Sequence, residues 1–96
     1  MTKLLQPAAL KELGSSVDIL DVRREADFQA APRMIPGARK LDPEAVDQWL
    51  PGLDRSKPLV VYCARGGSVS RGVAEKLSAA GLDVSVLEGG IAGYPG

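Results

Sequence analysis

The chain has 96 residues, with 12 Lys plus Arg balanced by 12 Asp plus Glu, no histidine, one cysteine and 45% hydrophobic residues. That length suits one compact domain over 1–96, and the even charge balance excludes a strongly basic nucleic-acid binder as well as a charge-driven disordered chain. Without imidazole no Ser/His/Asp or Cys/His relay can form, and one thiol supplies neither a disulfide nor the usual zinc ligand set, so no metal and no cofactor is expected.

The chain starts Met-Thr-Lys-Leu-Leu-Gln-Pro, without the apolar run of a signal peptide, and no segment approaches the roughly 20 apolar residues of a membrane span. A lone unpaired thiol also fits a reducing compartment, so a cytoplasmic protein with no membrane partner is expected. Pro7 suits the first position of a helix over Ala8–Leu13, and Gly14 suits its stop. Val17 to Val22 reads as a strand, followed by a short helix from about Arg24 to Ala30. The next stretch, Ala30 to Gly37, carries Pro32 and Pro36 and reads as a loop. Asp42, Pro43 and Glu44 resemble an N-cap, a first-turn proline and a first-turn acid, opening a helix whose Ala45, Val46, Trp49 and Leu50 share a face. Pro51-Gly52 ends it. A second strand spans Pro58 to Tyr62. The clearest helix covers about Ser70 to Ala80, with Val69, Val73, Leu77 and Ala80 on one stripe and Gly81 at the left-handed cap position. A third strand, Val84 to Leu87, follows. The strands are continuous apolar runs and not alternating ones, which predicts an α/β domain around a mostly parallel sheet covered on both faces. In such folds ligands bind beyond the carboxyl ends of the strands.

The most informative stretch is Leu59 to Arg71, where a buried strand delivers Cys63 into the sequence Ala64-Arg65-Gly66-Gly67-Ser68-Val69 and then into a helix. Backbone N–H groups of a tight loop and of a helix N-terminus converge to form an anion cradle, in which a thiol ionises readily and needs no histidine base. From Arg55 to Ala74 the chain carries Arg55, Lys57, Arg65 and Arg71 and no acid, so a neutral protein concentrates positive charge around its one thiol. Arg65 is expected at the mouth of this cradle. Arg71 is expected in support, with a solubilising surface charge as the alternative for either arginine. The plain alternative for Cys63, a small apolar core residue, fits poorly with a position past the strand end and next to a Gly-Gly turn.

Four pieces of the chain, in order, resemble the signatures of a rhodanese-type sulfurtransferase domain. They are Asp18-Ile19-Leu20-Asp21-Val22-Arg23 with Glu25 and Phe28; Ile35-Pro36-Gly37-Ala38; Val61-Tyr62-Cys63 with Gly66; and Leu87-Glu88-Gly89-Gly90-Ile91 with Tyr94. The resemblance implies a five-stranded parallel sheet between helices, with Cys63 accepting a sulfane sulfur from an anionic donor such as thiosulfate. It implies that Cys63 passes this sulfur to a small-molecule or protein thiol, or to cyanide. Ala64 to Val69 are then the donors that bind substrate, and Asp21 and Arg23 support the site, with Arg23 orienting the loop or pairing with Glu25. Gly89-Gly90 is expected to form a tight turn beneath the site.

The chain also departs from the pattern. Arg33-Met34 precede Ile35 where Gly-His is usual, and the stretch from Cys63 to Gly81 is one residue longer than in common single-domain members. A longer loop is a feature of related phosphatase and arsenate-reductase domains, which keeps an oxyanion enzyme as an alternative. That alternative needs an arginine six residues after the cysteine for bidentate oxyanion binding; Val69 stands there and the arginine comes at Arg71. A third possibility is a non-enzymatic persulfide carrier or regulatory module on the same fold.

Overall fold

A computed structural model describes residues 3–65 and 67–94. Its strands are β1 (Lys3–Leu5), β2 (Asp18–Asp21), β3 (Arg39–Lys40), β4 (Leu59–Tyr62) and β5 (Val84–Leu87). They form one parallel sheet in the order β1-β5-β4-β2-β3, with Leu20 opposite Val61 and Val61 opposite Val86 at its centre. The five-stranded α/β fold implied by the resemblance is therefore the fold observed. β1 and β3 are the edge strands. They are three and two residues long, too short for any hydrophobic period to announce them.

The side chains of the inner strands alternate between two cores, as the two-residue period of a strand requires. Leu20 and Val22, Leu59 and Val61, and Val84 and Val86 all enter one cluster with Val73, Ala74 and Leu77. On the opposite face Ile19, Val60, Tyr62 and Leu87 pack with Leu10, Ile35 and Ile91. Both faces of the sheet are thus buried, which is why these strands read as continuous apolar runs.

The helices are α1 (Pro7–Leu13), α2 (Glu25–Ala30), α3 (Val46–Trp49) and α4 (Ser68–Ala79). Pro7 opens α1 and Gly14, at φ 54°, caps its end, as the residue types imply. α4 begins two residues earlier than the Ser70 read from its apolar stripe. Its C-terminus closes with Leu82 N–H on the Leu77 carbonyl and Gly81 N–H on the Ser78 carbonyl, Gly81 sitting at φ 89°. This is the glycine-dependent termination anticipated there. α3 corrects the reading of Asp42 as an N-cap. The Asp42 carboxylate accepts from Glu44 N–H and its carbonyl from Ala45 N–H, forming a turn, and the helix starts only at Val46. Asp and Asn side chains form such turns as readily as they cap helices.

The topology fixes where a ligand can sit. After β2 the chain runs outward to β3, whereas after β4 it crosses to β5 on the other side. The two connections diverge and leave a crevice at the carboxyl ends of the neighbouring strands β2 and β4. Asp21-Val22-Arg23 and Tyr62-Cys63-Ala64 emerge there.

Candidate active site

Cys63 leaves the end of β4 and is 5% exposed, at the base of a cleft of about 580 Å³. Its thiol donates to the Ser70 hydroxyl at 3.1 Å, and that hydroxyl lies 3.4 Å from the Gly67 carbonyl. Burial, the largest influence on this thiol, pushes its pKa up. The hydrogen bond of the Ser70 side chain and those of the backbone N–H groups of Ser70, Arg65 and Gly67 outweigh it, so the net shift is downward. The cradle expected from the loop sequence is present, and it draws on the first turn of α4 as well.

The orientation of the Arg65 N–H has a cause elsewhere in the chain. The carbonyl of Cys63 accepts from Ile91 N–H at 3.0 Å, and that of Ala64 from Ala92 N–H at 3.1 Å. In a trans peptide the carbonyl and the following N–H point in opposite directions. Holding the Ala64 carbonyl on Ala92 therefore turns Arg65 N–H back toward the sulfur. The segment that does the holding is the 3-10 turn Ile91–Gly93, brought beneath the loop by Gly89 and Gly90 at φ 79° and 60°. An L side chain is strained at both angles.

Beside the cleft a buried polar network anchors the crevice. Arg23 and Asp21, both with fully buried side chains, form an ion pair at 2.7 Å, with further Nε contacts at 3.1 Å to both carboxylate oxygens. The guanidinium also donates to the carbonyls of Ala31 at 2.6 Å and Arg33 at 2.9 Å. Its hydrogen bonds with Asp21 hold its pKa above the ordinary arginine value. Tyr62 donates to Asp21 at 2.9 Å and accepts from Ile35 N–H at 3.2 Å, and burial pushes its phenol pKa up. This settles the partner of Arg23 as Asp21, and not Glu25, whose carboxylate lies 3.5 Å from Lys40 on the surface. Arg23 does orient a loop, but it is the 31–35 segment.

Of the residues read as substrate-binding, Ala64, Arg65, Gly67, Ser68 and Val69 line the cleft together with Cys63. Gly66 lies outside the described residues. Arg23 contributes to the wall, whereas Asp21 is buried beneath it. Arg71 is exposed on α4 and is not among the lining residues, so the support expected from it has no counterpart in the geometry. Ser70, buried behind the thiol, and Arg33, in the cleft wall, were not read as site residues from the sequence. Ser70 stands seven positions after Cys63, a spacing that has no meaning until the loop folds back. Arg33 figured only as a departure from a signature, yet it lines the cleft and donates to the carbonyls of Ile91 and Tyr94 at 3.0 and 3.2 Å.

A cysteine at the end of a central parallel strand, faced by N–H donors and with no imidazole in the chain, is an arrangement that can favour a thiolate on an α/β fold. Comparison with known proteins identifies the class. A family model described as Rhodanese-like domain matches residues 6–95. The thiosulfate sulfurtransferase GlpE of Tolumonas auensis is 34% identical over 90 residues, covering 93% of this chain and 81% of that protein. A rhodanese-related protein from Thermoplasma volcanium superposes with a TM-score of 0.83 at 30% identity, over 97% of this chain and 95% of that one. A rhodanese-like domain protein from Staphylococcus aureus does so with a TM-score of 0.84 at 27% identity, over 98% and 92%. The chain belongs to the rhodanese-like domain family, and the likeness to GlpE supports sulfurtransferase activity in general. No helix among the described residues is long and apolar enough to cross a membrane.

Proposed function

We propose that this chain, acting as one domain over 1–96, transfers a sulfane sulfur from thiosulfate or a similar anionic donor through a persulfide on Cys63. The observation that carries this reading is the convergence of the Arg65, Gly67 and Ser70 N–H groups and the Ser70 hydroxyl on a sulfur at the base of an open cleft. In the first step the Cys63 thiolate attacks the outer sulfur of thiosulfate. The S–S bond of the donor breaks, its electron pair leaves with sulfite, and Cys63 retains the sulfur as a persulfide anion. The same donors that favour the thiolate then face a negative charge displaced outward by one atom, which is electrostatic support without reorganisation. In the second step cyanide or a thiolate acceptor attacks the outer persulfide sulfur and releases Cys63 as the thiolate. The open cleft suits a low-molecular-weight or protein thiol as acceptor, and a cysteine that must cycle as a thiolate suits a reducing cytoplasm.

Arg65, exposed in the cleft wall, adds positive charge that draws an anionic donor in; Ala64, Gly67, Ser68 and Val69 line the cleft beside it. The oxyanion-enzyme alternative loses the arginine it needs, because Arg71 stands apart from the cleft. A pure carrier differs in turning over only once for each partner it meets, whereas an enzyme cycles with small donors and acceptors. The test is intact mass after incubation with thiosulfate. Wild type is expected to gain one sulfur atom, to lose it on adding cyanide, and to repeat the cycle, while Cys63→Ser does neither. An unchanged wild-type mass, or a Cys63→Ser variant that turns over equally, removes the sulfurtransferase reading.

A further inference from the structure

Three arginines line the cleft, and they are not equivalent. Arg23 is neutralised by Asp21 and its side chain is fully buried. Asp27, which also lines the cleft, lies near enough to Arg23 to favour its charged form. Arg65 is exposed, and no hydrogen bond ties its side chain down among the described residues. Arg33 is both charged and held. Its Nη2 donates to two carbonyls of the segment that braces the Cys63 loop, and its own carbonyl accepts from Arg23. Ion pairs among the described residues include Lys3 with Asp83, Arg23 with Asp21 and Lys40 with Glu25, and none of these involves Arg33. Two carbonyls occupy Nη2 alone, so Nε and Nη1, with three of the five guanidinium N–H groups, face no partner among the described residues.

The volume of the cleft gives this arrangement a purpose. About 580 Å³ is the space of an organic ligand and not of a small tetrahedral anion, so shape alone does not hold such an anion against Cys63. A fixed guanidinium does, because its charge stays in place and an unengaged N–H of Nη1 or Nε can donate to an oxygen of a sulfonate or carboxylate. We propose that Arg33 is the specificity-determining residue of this site, anchoring the charged end of the anion that enters the cleft toward Cys63. On the sulfurtransferase reading, on which this assignment of the ligand rests, that end is the sulfonate of the donor. Arg33 stands where the family pattern has glycine, so the anchor is a property of this chain. It makes the site selective for anionic over neutral sulfur donors.

Alkylation of Cys63 tests the anchor independently of sulfur transfer, because iodoacetate and iodoacetamide react through the same thiolate and differ in charge. Wild type is expected to favour iodoacetate relative to the free-thiol ratio of the two reagents. Arg33→Gln is expected to lower the iodoacetate-to-iodoacetamide rate ratio by about tenfold, the effect of one lost charge-assisted hydrogen bond. The same variant is expected to raise KM for thiosulfate by about tenfold while kcat stays within about twofold. Arg33→Lys retains the charge and is expected to recover most of the ratio, which a purely structural tie to Ile91 and Tyr94 does not do. An unchanged ratio in Arg33→Gln, or an Arg33→Lys variant as impaired as Arg33→Gln, overturns the proposal. If thiosulfate fails to load wild type while the ratio still drops in Arg33→Gln, the sulfurtransferase reading falls and Arg33 stands as the anion anchor.

Discussion

At the level of single residues, Cys63 shows how a cysteine is activated without a base. Burial raises the pKa of its thiol and four hydrogen-bond donors more than reverse that, so removing one donor tips the balance back. Ser70→Ala deletes the hydroxyl at 3.1 Å and leaves the backbone in place. The thiolate is the reactive form, so alkylation rises with pH through the Cys63 pKa and levels off above it. The Ser70→Ala profile is expected to move to higher pH. At a pH below both midpoints the iodoacetamide rate falls about tenfold, in line with a hydrogen bond to a charged group. Above both it is equal or slightly faster, since a more basic thiolate is the better nucleophile. A profile that drops evenly at every pH indicates a displaced loop instead. Cys63 was legible because an apolar strand, a lone thiol and a Gly-Gly pair are adjacent in sequence. Ser70 and Arg33 were not, because their meaning depends on contacts across 7 residues and, from Arg33 to Ile91, 58 residues.

At the level of elements, the strand ends supply rigidity and the loops after them supply chemistry. β2 ends in Asp21, and two residues later Arg23 turns back on it while reaching the carbonyls of Ala31 and Arg33. One buried pair thus fixes the 31–35 loop and, through it, the backbone that carries Arg33. The sequence Asp-Val-Arg left open whether these residues serve the site or only a structural ion pair; the fold buries both side chains and gives the carboxylate a further partner in Tyr62. Breaking such a pair leaves a buried charge without compensation. Asp21→Asn, which keeps the shape and removes the charge, is expected to lower unfolding free energy by about 3 to 5 kcal/mol in urea denaturation. A loss below about 1 kcal/mol, the range of exposed pairs, shows that water reaches the network. The inner strands were legible as continuous apolar runs, α1 from its Pro7 and Gly14 boundaries, and α4 from its apolar stripe and glycine stop. The edge strands β1 and β3 and the late start of α3 were not, because two or three residues carry no period and Asp42 serves a turn as well as a cap.

At the level of the whole molecule, the site is assembled from both sides of the sheet. Ser70 comes from α4, whose Val73, Ala74 and Leu77 belong to one core, while Ile91 and the Arg33 loop rest on the other through Ile35 and Leu10. The sheet between them is only one strand layer thick, yet the two clusters share no residue. Large-to-small changes in them are therefore expected to act independently. Leu77→Ala and Leu10→Ala, each at a site no more than 2% exposed, are expected to cost about 2 to 5 kcal/mol apiece. Their sum approaches the roughly 5 to 15 kcal/mol that holds a domain of this kind together, so the double variant should sit near its unfolding threshold. The chemistry should respond differently. Arg65 N–H is aimed at Cys63 by the bond from Ala92 to the Ala64 carbonyl, and Ser70 is held by the first turn of α4; neither leucine side chain takes part in those hydrogen bonds. Well below the melting temperature each single variant should therefore alkylate Cys63 within about twofold of wild type while its denaturation midpoint falls. A variant that loses reactivity in proportion to stability shows that core packing, and not the brace under the loop, aims the cradle.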